Sequence, residues 1–185
     1  MRDLFEGKLY LAAVCIIISL TLFLFLSTGC KSNNISTYIH IQDGLIYKQG
    51  TSDPYTGRIL DTLENRIIEY DVVNGMKSGE FCLLSISGEF AVHGYLENNK
   101  NVGSWRYFFS NGNIESQGNF KNDRPHGNWN WYYENGKIKT VGFYIDGREE
   151  GTWKSFDENG LITSVIFYRN GNIQSEVVVA KIEFI

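Results

Sequence analysis

Histidine and cysteine are scarce in this chain, three of each among 185 residues. His40, His93 and His126 stand without a second His, Cys or acidic residue at metal-ligand spacing, so no metal site is expected. The G-x-S-x-G nucleophile turn, the P-loop, the G-x-G-x-x-G fingerprint and the C-x-x-C pair are all missing. Glu149-Glu150 and Asp157-Glu158 are adjacent carboxylates whose side chains diverge on strands or sit in turns, which argues against a two-carboxylate hydrolase. The chain therefore reads as a non-enzyme with no cofactor. Basic charge is also in the minority, with 17 Lys+Arg against 21 Asp+Glu and a net charge of −4, which argues against a nucleic-acid partner. Beyond residue 30 no stretch carries a helical period.

What the chain has instead is glycine at a fixed interval. Gly79, Gly103, Gly127 and Gly151 step by 24 residues, as do Gly88, Gly112, Gly136 and Gly160, and again Gly94, Gly118 and Gly142. Trp105, Trp129 and Trp153 keep the same step, with Phe81 one unit earlier. Such a period marks a repeat architecture. Inside each unit the apolar residues alternate, as in Trp105, Tyr107, Phe109 and in Trp129, Trp131, Tyr133, which is the spacing of strands. Asn111-Gly112, Asn135-Gly136 and Asn159-Gly160 sit where each unit must reverse, and Asn-Gly suits a two-residue type I′ hairpin turn. A second turn series runs Asn74-Gly75, Asn98-Asn99, Asn122-Asp123, Asp146-Gly147 and Asn170-Gly171.

With Asn111-Gly112 as the loop, Phe109 faces Ile114, Tyr107 faces Ser116 and Trp105 faces Gly118. The same count sets Trp129 against Gly142, Phe81 against Gly94 and Trp153 against Ile166. The missing side chain lets a large ring lie across the neighbouring strand, so Gly118 is expected under Trp105 and Gly142 under Trp129. An isolated hairpin is marginal in water. One Trp burying roughly 200 Å² contributes on the order of 5 kcal/mol as an upper bound, so stacking the units is what makes them stable. The fold class predicted is all-β, an elongated single-layer antiparallel meander of 24-residue hairpin repeats. Its parts are a lead-in and degenerate first repeat over 43–78, four repeats over 79–174 and a closing strand over 175–185.

The stretches "GSWRYFFSNGNIESQGNF", "GNWNWYYENGKIKTVGFY" and "GTWKSFDENGLITSVIFY", linked by "NDRPHG" and "DGREEG", resemble the MORN repeat. They look most like the bacterial variant found in YwqK-type proteins, which are often labelled antitoxins. The lead-in "DGLIYKQGTSDPYTGRI" is similar to that family's opening as well. The resemblance implies a scaffold or interaction surface rather than a catalyst.

The N-terminus has 18 mostly apolar residues from Leu9 to Leu26, followed by Ser27-Thr28-Gly29-Cys30. This reads as a secretory signal over 1–29. It resembles a bacterial lipoprotein signal, which implies lipid attachment at Cys30 as the new N-terminus, with 30–42 as lipidated start and tether. Ser27 stands where a large apolar residue is usual, and an uncleaved membrane-spanning anchor is the alternative. Either way the repeats are expected outside the cytoplasm, on an inner or outer membrane. Removing 1–29 takes away two basic and two acidic residues, so the charge stays at −4. Cys15 leaves with the signal and Cys30 is modified, so no disulfide framework is expected in the exported part.

Two candidate binding surfaces follow from the period. Lys100, Arg124 and Arg148 recur just after the second turn series and would form a basic rail along one edge, about 10 Å apart, facing anionic lipid or an acidic partner. The opposite edge carries Glu134 and Glu158. Phe108, Tyr132 and Phe156 form an aromatic ladder on the face opposite the Trp series, suited to a glycan or peptide, or to cross-strand packing. The functional expectation is a membrane-anchored envelope scaffold with a protein partner or surface glycan. The rival is an antitoxin or immunity protein that neutralises a toxin.

Overall fold

A computed structural model of the chain describes residues 39–179. Thirteen strands follow in order: β1 (Ile39–Gln42), β2 (Leu45–Lys48), β3 (Gly57–Leu63), β4 (Arg66–Val73), β5 (Met76–Ser85), β6 (Phe90–Glu97), β7 (Lys100–Phe108), β8 (Ile114–Lys121), β9 (Arg124–Tyr132), β10 (Ile138–Ile145), β11 (Arg148–Phe156), β12 (Ile162–Arg169) and β13 (Asn172–Val178). No helix occurs among the described residues. Strands β3 to β13 form one 11-stranded sheet in sequence order, every neighbouring pair antiparallel, while β1 and β2 make a separate hairpin. The fold is the open all-β meander that the period predicts.

Two boundaries differ from the sequence reading. β1 starts inside the stretch expected as a tether, because Ile39 packs against the core cluster of Ile46, Ile59, Tyr70 and Val72. β13 starts at Asn172, earlier than the expected closing strand, because the Asn170-Gly171 turn pairs Asn172 directly with Arg169. Residues 1–38, with the signal and Cys30, and 180–185 lie outside the described residues.

The Trp pairing is as counted, since Trp105 opposes Gly118, Trp129 opposes Gly142, Phe81 opposes Gly94 and Trp153 opposes Ile166. The turns that produce it differ from the expectation. At Asn111-Gly112 the amide of Gly112 donates to the carbonyl of Phe109 at 3.0 Å, and the amide of Phe109 to the carbonyl of Asn113 at 2.9 Å. Only Gly112 has positive φ, 83°, so this is a three-residue loop, a type I turn closed by glycine, rather than type I′. The extra loop residue shifts the register by one, and Phe108 meets Ile114. A bulge at Glu115 takes the shift back, so that Tyr107 again meets Ser116. Ala91, Lys139 and Thr163 are skipped in the same way in the other units. The type I′ turns lie in the second series, where Asn122 and Asp123 have φ of 50° and 66°.

Which ring covers which glycine also differs. A Cβ on Gly118 would strike the Trp129 indole, one on Gly142 the Trp153 indole and one on Gly94 the Trp105 indole. Each Trp thus leans back over the preceding hairpin, not over its own partner strand. There the Nε1–H of Trp105 donates to Tyr95 O and that of Trp129 to Asn119 O, both at 3.1 Å. A buried indole N–H needs such an acceptor. Trp153 Nε1 is buried and meets no acceptor among the described residues. Edge-to-face contacts continue the spine, with Phe120 5.2 Å from Trp129 and Tyr144 5.0 Å from Trp153. Trp105 and Trp129 keep only 5% exposure each, so one face of the sheet acts as an aromatic core.

A further correction concerns sulfur. Cys82 is disulfide-bonded and fully buried. The expectation of no disulfide framework presumes cleavage ahead of Cys30, and the whole chain still carries Cys15 and Cys30, both outside the described residues.

Candidate functional site

The face opposite the Trp spine is polar, and its chemistry concentrates on β3 to β7. Arg58 on β3 grips Asp71 with two bonds, Nε to Oδ1 at 2.7 Å and Nη2 to Oδ2 at 3.0 Å. It also reaches Glu80 at 3.2 Å and Glu69 at 3.4 Å, and Glu69 is 3% exposed. These bonds, that to Asp71 foremost, raise the Arg58 guanidinium above its ordinary pKa against the opposing effect of burial. His93 Nε2 lies 3.0 Å from the other oxygen of Glu80. Sequence spacing alone gave no sign of this cluster, because its members sit on four different strands.

Donor atoms of Glu80, Cys82 and His93 lie within 4.8 Å of one another, a grouping that linear spacing conceals. A disulfide sulfur is no thiolate ligand, which leaves two donors, and Glu80 already serves Arg58. The other histidines have structural partners. His40 stacks on Tyr47 at 5.4 Å, and His126 Nδ1 accepts the amide of Asp146 at 3.3 Å. Thr56, Ser78 and Glu150 accept the amides of Asn74, Asn98 and Asn170 in the same way, so His126 is one of a series of turn caps.

From His93 an aromatic track crosses the polar face. Its ring is 5.6 Å from both Tyr95 and Phe90, and Phe90 is 5.8 Å from Phe108. The track ends in a cleft of about 230 Å³ between three successive hairpin ends, lined among others by Arg66, Ser85, Glu89, Phe90, Phe108 and Ser110.

The ladder residues meet different neighbours. Phe108 joins the cleft, Tyr132 takes a hydrogen bond from Gln117 Nε2 at 2.7 Å, and the carbonyl of Phe156 accepts from Tyr133 Oη at 2.7 Å. All three side chains are half-buried, and a strand lies between successive rungs. Lys100, Arg124 and Arg148 open β7, β9 and β11, each exposed beside a type I′ turn. Arg124 lies along the turn at Gly147, and Arg148 along that at Gly171. These turns are tied in series, since the amides of Asn99, Asp123, Gly147 and Gly171 donate to Lys77, Asn101, Pro125 and Glu149 carbonyls at 2.8–3.1 Å.

Residues 101–122, 125–146 and 149–165 match the family model of the MORN repeat variant. These units are MORN repeat variants. No curated protein sequence matches the chain. The three MORN units contain Trp105, Trp129, Trp153 and both covered glycines Gly118 and Gly142. The Arg58 cluster and two of the three hairpin ends of the cleft lie ahead of the first matched MORN unit. The matched units supply most of β7 to β12, while the Arg58 cluster lies on β3 to β6 of the same sheet.

Proposed function

We propose that this chain is a non-enzymatic interaction scaffold of a bacterial cell envelope, held to a membrane by its N-terminal segment, through lipid on Cys30 or through the apolar run kept as an uncleaved span. The observation that carries the reading is the run of MORN units over 101–165, since MORN repeats are in general binding modules. Trp105 and Trp129 are buried on one face, while the other face is half-exposed and the turn residues of both rows are exposed. A partner protein or surface glycan would meet the solvated face, where Phe108, Tyr132 and Phe156 recur, or the edge with Lys100, Arg124 and Arg148. Ser27-Thr28-Gly29-Cys30 after an apolar run supports export and acylation. More than one acyl chain makes such attachment durable.

The test is metabolic labelling with a palmitate analogue, paired with cross-linked pull-down from intact envelopes. Label on the wild type that disappears in Cys30→Ser, together with a captured partner, supports the reading. Absence of label on the wild type, or a disulfide from Cys82 to Cys15 or Cys30 in the exported chain, overturns the lipid and leaves the uncleaved span, because cleavage removes Cys15 and one sulfur cannot carry both bonds. Capture of nothing above the level of an unrelated lipoprotein overturns the scaffold.

A further inference from the structure

The repeat breaks its own rule at one place. Between the β7–β8 and β9–β10 hairpin ends, Asn113 Nδ2 and Asn111 Nδ2 donate to the carbonyl of Glu134 at 2.7 and 3.2 Å. Between the β9–β10 and β11–β12 ends, Lys137 Nζ donates to the carbonyl of Glu158 at 2.7 Å. One step earlier the residue at the position of Asn113 and Lys137 is Glu89, and the carbonyl at the position of Glu134 and Glu158 belongs to Ser110. A carboxylate has no proton to donate to that carbonyl. Among the described residues the β5–β6 and β7–β8 hairpin ends therefore lack this tie, and the cleft opens there.

We infer that this cleft binds one pyranose ring of a neutral glycan. The inference rests on reading the sheet as a binding module and names the ligand class of that module. A volume of about 230 Å³ suits a single ring, being below the roughly 300 Å³ at which pockets for larger molecules begin. Phe90 and Phe108 give an apolar wall, tilted 31° to each other, for the C–H face of a sugar. The lining carries both a cation, Arg66, and an anion, Glu89, and Arg66 forms no ion pair among the described residues. Glu89 takes one hydrogen bond, from Ser87 Oγ at 3.2 Å, and keeps further lone pairs. Neighbouring hydroxyls both donate and accept, so one ring can satisfy Glu89 and Arg66 together. An aromatic peptide side chain would desolvate both without pairing them, and a phosphate would be repelled by Glu89.

The test uses the purified full-length chain in a detergent without a sugar headgroup. Saturation-transfer NMR is run with the methyl glycosides of glucose, galactose and N-acetylglucosamine at about 10 mM, enough to populate a millimolar complex. Transfer to ring protons of at least one glycoside is expected. Glu89→Lys should restore the tie that Lys137 makes, close the cleft, keep the melting temperature and cut the transfer at least about tenfold. Arg66→Ala, at an exposed side chain, serves as the second variant and should weaken transfer without unfolding. No transfer to any glycoside overturns the inference, as does transfer unchanged in both variants, or transfer confined to a control probe, N-acetylphenylalanine amide. Since this readout needs no cellular partner, it can fail while the envelope pull-down succeeds, and the reverse.

Discussion

The Trp129 indole occupies the space that a side chain on Gly118 would need, and its Nε1–H donates to the next carbonyl, that of Asn119, at 3.1 Å. Ring and glycine belong to different hairpins, so this contact joins one repeat to the next. Gly118→Ala should cost about 2 to 3 kcal/mol through overpacking against a ring that cannot retreat. Gly147→Asn, in an exposed turn at φ +88°, should cost well under about 1 kcal/mol because Asn tolerates that conformation. Urea melts of the two variants check the order, and equal costs would mean that the indole does not lie over Gly118.

The equivalent rings should not be equally valuable. Trp129→Phe removes the indole bond to Asn119 and leaves that carbonyl without this donor, whereas Trp153 Nε1 has no acceptor to lose. Trp129→Phe should therefore be less stable than Trp153→Phe, each measured against the wild type, by about 1 kcal/mol, the usual net worth of a hydrogen bond. Chemical denaturation with tryptophan fluorescence reads the difference.

One dipeptide occupies two kinds of turn. Asn74 precedes Gly75 with φ +49°, while Asn135 precedes Gly136 without a positive φ and uses its Oδ1 to accept the Lys137 amide at 3.0 Å. Asn74→Ala must hold an alanine in the left-handed region, at roughly 1 to 2 kcal/mol. Asn135→Ala gives up one exposed hydrogen bond, about 0.5 kcal/mol. Thermal melts should rank Asn74→Ala as the more damaging.

Arg58 holds three carboxylates, one of them the buried Glu69. Arg58→Ala leaves those charges facing one another and should destabilise the sheet by about 3 kcal/mol, the scale for breaking a buried pair. Arg58→Lys should recover only part of this, since an ammonium cannot make the two-bond grip on Asp71. Full recovery by Lys in urea melts would contradict that account.

Alkali should unfold the chain through its tyrosines. Burial is the main cause that raises the phenols of Tyr70, Tyr107 and Tyr144 above their ordinary pKa. A raised folded pKa means that the unfolded chain releases the proton first. The stabilisation is thus complete below about pH 10 and is lost as pH rises through the folded values. Tyrosinate absorbance and circular dichroism followed together should show the late-titrating phenols ionising as the sheet melts.

The sequence by itself determined the period, the strands and the backbone partners of Trp105 and Trp129, because alternation and a 24-residue glycine step leave one pairing that sets both of these rings opposite a glycine. Its count reached the right partners from the wrong turn, since the longer loop at Asn111-Gly112 and the bulge at Glu115 shift the register by one in opposite directions. Only the tertiary structure decided which glycine each indole covers, because that depends on ring tilt toward a carbonyl of the preceding hairpin. It alone brought Arg58, Glu69, Asp71, Glu80 and His93 together, since neighbours across a sheet are set by strand order and register and not by linear distance. The cleft beside Phe108 belongs to the same class: Glu89 reads as one more turn carboxylate until its place opposite the Ser110 hairpin end is known.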